Sequence, residues 1–61
     1  MEAIREYLKA TGQNQSEFAA RVGASRSAVS LWIRGKRQPS DYQLYRIHRE
    51  TGIALEKLRK P

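Results

Sequence analysis

The sequence contains no cysteine, which excludes disulfide staples, thiolate zinc sites and a cysteine nucleophile, and gives no sign of a secreted scaffold. It also lacks any apolar run near the roughly 18 residues of a membrane span. Its opening Met1-Glu2-Ala3-Ile4-Arg5-Glu6 does not have the character of a signal peptide. A soluble cytoplasmic protein is expected, with no membrane partner. Catalytic signatures are equally scarce. Metal-ligand spacings, glycine-rich phosphate loops and carboxylate pairs for acid-base work are missing, so no cofactor or metal is expected. His48 is the only histidine. It can be grouped on paper with a serine and Asp41, but no nucleophile-elbow glycines surround any serine. At 61 residues the chain is about half the usual domain size. One domain over residues 1–61 is expected, too small to enclose a dry pocket, so neither an enzyme nor a small-molecule binder.

Acidic residues are few, and they avoid the middle of the chain. Twelve Lys and Arg stand against six Asp and Glu, a net +6. Between Arg21 and Arg49 lie seven bases (Arg21, Arg26, Arg34, Lys36, Arg37, Arg46, Arg49) and one acid, Asp41, so this segment alone carries +6, while the remaining bases and acids cancel. A neutral scaffold with one cationic stretch is the footprint of a polyanion binder, whether the polyanion is DNA, RNA or an acidic membrane. The bland reading of the same charge is a solvated face.

Helix punctuation divides the rest, and no alternating stretch is long enough for a convincing strand. Glu2 to Ala10 puts Ile4, Tyr7 and Leu8 on one face, and Thr11-Gly12 stops that helix. Asn14 with Glu17 three residues on forms a variant capping box for a second helix, with Phe18, Ala19 and Val22 as its buried stripe and Gly23 at its end. Ser25 caps a third, which runs to Ile33 or Arg34 before Gly35. Lys36-Arg37-Gln38-Pro39 is a basic loop. Ser40 with Gln43 is a capping box for a fourth helix over Asp41 to Thr51, with Leu44, Ile47 and His48 inward and Gly52 closing it. Tyr42 and Tyr45 are open to three roles: covering the core edge, bonding phosphates, or packing in a dimer interface, with packing preferred. The tail Ile53 to Pro61 spaces Leu55 and Leu58 for a helix, but no good cap precedes them and a short strand remains open.

The informative piece is Gln15 to Arg34, two short helices joined only by Gly23-Ala24-Ser25. So tight a joint predicts a helix-turn-helix crossing of about 90 to 120°, which needs a small residue at the contact and a glycine in the turn; Ala19 and Gly23 supply them. Phe18, Val22, Ala24, Val29 and Trp32 bracket the turn on the inner sides, with Ile33 flanking, and hold the angle. At about 100° per residue, Ser27, Ser30, Leu31 and Arg34 fall opposite Ala28, Val29 and Trp32, with Arg26 at the flank. A merely solvated helix carries long charged residues in i,i+4 pairs. Small hydroxyls with arginine let a helix sink into a groove instead, where Arg can offer bidentate donors to guanine and an outward leucine can touch a thymine methyl. Trp32 on the inner face is a poor stacking platform for single-stranded bases.

Gln15-Ser16-Glu17-Phe18-Ala19-Ala20-Arg21-Val22-Gly23-Ala24-Ser25-Arg26-Ser27-Ala28-Val29-Ser30-Leu31-Trp32-Ile33-Arg34-Gly35 resembles the helix-turn-helix of the phage Cro and repressor proteins and their bacterial relatives. The likeness extends more loosely through Arg37-Gln38-Pro39 and Tyr45-Arg46-Ile47 to Leu58-Arg59, and short Cro proteins are the nearest in form. It implies an all-α bundle of about five helices acting as a homodimeric repressor, without cofactor, on pseudo-palindromic double-stranded operator DNA, by blocking a promoter. It further implies that the second helix of the motif enters the major groove. Carried over by position, Arg26, Ser27, Ser30 and Leu31 are base readers, and Gln15, Ser25, Arg34, Lys36 and Arg37 are phosphate contacts. Some Cro proteins end in a dimerising β-hairpin, a form the tail does not clearly match.

Two rival classes remain. A membrane-active cationic peptide needs an apolar face opposite a lysine-rich one, whereas here capping signals break the stripes. An antitoxin-like protein-binding module on the same fold would use Leu31 and the tail leucines.

Overall fold

The computed structural model describes residues 1–59; Lys60 and Pro61, the last of the expected tail, lie outside the described residues. Among the described residues the elements are five helices and no strand: α1 (Glu2–Thr11), α2 (Gln15–Val22), α3 (Arg26–Ile33), α4 (Asp41–Thr51) and α5 (Leu55–Arg59). Their boundaries follow local chemistry. Asn14 Oδ1 accepts from Glu17 N–H at 2.8 Å while Glu17 Oε1 accepts from Asn14 N–H at 3.0 Å, which closes the capping box expected for α2. Ser40 and Gln43 do the same for α4, at 3.2 and 2.8 Å. Ser25 Oγ caps α3 by accepting from Ala28 N–H at 3.0 Å.

The core draws on every helix: Met1, Ile4 and Leu8, then Phe18, Ala19 and Val22, Val29 and Trp32, Leu44 and Ile47, and Leu58. Among the described residues, Trp32 and Phe18 are the largest fully buried side chains, and no polar or charged residue is buried. Ile33 is only partly buried at the core's margin. The Met1 amino group donates to the carbonyls of Trp32 at 2.7 Å and Ile33 at 3.1 Å, so a positive charge sits on the last turn of α3, the negative end of its dipole.

The tail resolves in favour of a helix. His48 Nδ1 lies 2.7 Å from the Ile53 carbonyl, which can only accept, so the ring donates there. Thr51 Oγ1 donates to Ile47 O at 2.7 Å and accepts from Ile53 N–H at 3.1 Å. These bonds set the turn from which α5 starts, and burial of Leu58 between α1 and α4 replaces the missing cap. His48 is half-buried, as an inward position requires. Of the three roles open to the tyrosines, covering the core edge is excluded, since Tyr42 is 66% and Tyr45 49% exposed. Leu44 and Ile47 occupy the buried side of α4, which leaves the tyrosines on the outside with its arginines. Arg46 Nη1 donates to Tyr42 Oη at 3.4 Å, and the Arg49 guanidinium lies 5.9 Å from the Tyr45 ring centroid.

Candidate nucleic-acid interface

The joint between α2 and α3 is a Schellman turn: Ala24 N–H donates to Ala19 O at 2.9 Å and Gly23 N–H to Ala20 O at 3.4 Å, with Gly23 at φ +70°. Ala19, 3% exposed, lets the two helices approach closely. A second such turn ends α3, where Lys36 N–H donates to Leu31 O at 2.9 Å and Gly35 N–H to Trp32 O at 3.1 Å. This turn fixes the backbone position of Lys36 relative to the helix. Both ends of α3 are thereby tied to their neighbours, and burial of Val29 and Trp32 fixes its rotation.

That rotation turns Arg26, Ser27 and Arg34 outward and leaves Ser30 and Leu31 half-buried. An open cleft of about 360 Å³ is lined by Gln15, Arg26, Ser27, Ser30, Leu31 and Arg34 alone. The structure thus brings together the four residues expected to read bases and two of the five expected to hold phosphates. Ser25, Lys36 and Arg37 do not line it. Ser25 is exposed at the N-terminal end of α3, its Oγ already accepting the capping bond but its hydroxyl hydrogen still available, and Lys36 and Arg37 are exposed in the turn after the helix. No acid lines the cleft. Among the described residues the ion pairs are Arg5–Glu2 at 4.0 Å and Arg21–Glu50 at 3.5 Å, so Arg26, Arg34, Lys36 and Arg37 belong to neither. A concave, acid-free surface of hydroxyls, amides and guanidinium groups offers donors to phosphate oxygens and to base edges alike.

Sequence reasoning overlooked one residue that shapes this surface. Arg46, on α4, reaches back across the motif: Nη2 donates to Arg21 O, a carbonyl of the last turn of α2, at 3.3 Å. Its guanidinium lies over the turn, with Nη1 3.1 Å from where a Cβ on Gly23 would stand. Its place in a cationic segment and in the looser family likeness was visible beforehand but this contact was not, because no periodicity links positions 25 residues apart. Gly23 is therefore constrained twice, by its left-handed backbone and by Arg46. Gly23→Ala is expected to cost about 1 to 2 kcal/mol from the backbone alone. Chemical denaturation of Gly23→Ala and Arg46→Ala, singly and together, should show non-additivity, because removing Arg46 frees the space the methyl needs. Strictly additive costs would refute the contact.

A profile of the Helix-turn-helix family matches residues 4–58. A protein of Haemophilus influenzae named an uncharacterized HTH-type transcriptional regulator is 36% identical over 51 residues, which are 84% of this chain and 21% of that protein. The chain therefore spans about a fifth of the length of this relative. No solved structure matches. With the motif's turn, caps and outward face in place and the family profile spanning nearly its whole length, the chain belongs to the Cro-like helix-turn-helix family.

Proposed function

We propose that the protein recognises a specific double-stranded DNA sequence by inserting α3 into the major groove, and that it acts as a repressor of Cro type. What carries this reading is the cleft along α3, where Arg26, Ser27, Ser30 and Leu31 line one surface with Gln15 and Arg34. Arg26 offers a bidentate pair of donors to guanine, the serines donate or accept, and Leu31 meets a thymine methyl. Gln15, Ser25, Arg34, Lys36 and Arg37 hold the flanking phosphates and set the register without reading sequence. Repression by occlusion needs nothing beyond occupancy of a promoter site, and such a target places the protein in the cytoplasm.

Size supports a pair of copies on a palindrome. The longest extent of the bundle is 23 Å, whereas half-sites of this motif lie about 34 to 36 Å apart, so one copy covers one half-site. Equilibrium sedimentation with a palindromic duplex should give two protein chains per duplex.

A gel-shift titration at two salt concentrations tests the whole reading. DNA binding should weaken steeply with salt and differ between sequences. A protein-binding module of antitoxin type would give no sequence-dependent, salt-sensitive shift. Lys36→Ala is expected to weaken all sequences alike and lower the salt slope by about one; a change in base preference would instead make Lys36 a reader.

A further inference from the structure

The cleft along α3 does not end at Gln15. It opens into a larger trough of about 820 Å³ that shares Gln15, Arg26, Ser30 and Arg34 with it and continues onto α1, where Arg5 and Lys9 form the far wall. We propose that Arg5 and Lys9 form an additional DNA-backbone site, so that the strand held at Gln15 continues across α1. This inference rests on the DNA-binding reading above.

Four observations support it. The residues lining the trough include four bases and no acid. Arg5 and Lys9 are exposed and one helical turn apart, a rise of roughly 6 Å along α1, so they can meet different points of a backbone. Ile4 and Leu8, their neighbours in sequence, are buried in the core, which fixes the side of α1 that the two cations occupy. Finally, Asn14, Gln15 and Ser16 at the start of α2 line the trough, where Asn14 accepts from Glu17 N–H and the amides of Gln15 and Ser16, which have no intrahelical acceptor, add donors and positive dipole. Among the described residues the acid paired with Arg5 is Glu2, at 4.0 Å and well exposed, a contact too weak to hold the guanidinium away from phosphate.

The site is a phosphodiester contact and not a base reader. Arg5 and Lys9 lie on α1 and not on α3, the helix whose side chains would meet base edges, so the backbone is what they meet. Their contribution is therefore the same for every sequence, and it disappears with added salt.

The test is a fluorescence-anisotropy titration of the full chain on a labelled duplex of arbitrary sequence two helical turns long, about 20 base pairs, over a range of salt. Arg5→Gln and Lys9→Gln keep helix propensity and part of the aliphatic stem while removing charge. Each is expected to lower the slope of log affinity against log salt by about 0.9, and the double variant by nearly twice that, with preference between duplex sequences unchanged. Lys57→Gln on α5, which lies outside the trough, removes the same net charge and should leave the slope as it is. Circular dichroism of each variant confirms that the helices remain. Slopes equal to the parent's for both α1 variants, or an equal fall for Lys57→Gln, would overturn the α1 site while leaving DNA binding intact. A parent protein that shows no salt-dependent binding to any duplex would overturn the DNA-binding reading itself.

Discussion

Replacing Trp32 with alanine is expected to remove a large part of the protein's folding free energy. The side chain is 1% exposed and is the largest in a core that draws on all five helices. Truncating a buried Trp costs about 3 to 5 kcal/mol, part from lost transfer free energy and part from the cavity left behind. The whole folding free energy of a chain this size is only about 3 to 9 kcal/mol, at roughly 0.05 to 0.15 kcal/mol per residue. The loss is therefore comparable with the total. Thermal unfolding followed by circular dichroism should show a transition lowered by more than about 12 °C, since each kcal/mol shifts the midpoint of a small domain by about 4 to 8 °C. Trp32→Phe, which keeps an aromatic ring in place, should lose much less. A Trp32→Ala variant melting within a few degrees of the parent would mean that the core is not held together at this side chain.

Arg26→Ala is the substitution expected to change recognition most. Arg26 is the first residue of α3, is exposed, and lines both the cleft and the trough. A bidentate contact to guanine is worth about 1 to 3 kcal/mol of discrimination, roughly 5- to 150-fold between the preferred base and its alternatives at one position. Selection of bound duplexes from a random pool would define the preferred site. Affinities for that site and for its single-base variants should then converge at one position for Arg26→Ala and stay apart elsewhere. Arg26→Lys separates geometry from charge: it retains the cation but not the planar fork, so it should keep the salt slope and lose the discrimination. Uniform weakening by Arg26→Ala at every position would place Arg26 among the phosphate contacts.

The helices with caps were legible in the sequence because a cap is a short-range device. Asn14 with Glu17, Ser40 with Gln43, and Ser25 each act on an amide three residues away, so residue type and spacing suffice. The face of α3 was legible for a similar reason: Val29 and Trp32 are apolar, one turn apart and buried, and they leave Arg26, Ser27 and Arg34 outside. Where the local signal was weak, the sequence left the outcome open. No side chain precedes α5 to cap it, and its helix depends on the His48–Ile53 bond and on burial of Leu58. The sequence left the role of Tyr42 and Tyr45 open because aromatic residues can cover a core edge as readily as an outer face; here α4 has one buried side, and Leu44 and Ile47 occupy it.

Residue order by itself determined the first four helical segments, the turn at Gly23 and the polar side of α3, since each depends on interactions within about one helical turn along the chain. Packing alone decided that Arg46 would close over that turn from 25 residues away, that the Met1 amino group would meet the end of α3 from 31 residues away, and that Arg5 and Lys9 would share a trough with α3. Charged and polar side chains on different helices carry no common period in sequence. Only the burial of Ile4, Trp32 and Ile47 in one core sets the relative rotation of their helices, and with it the groups that face one another.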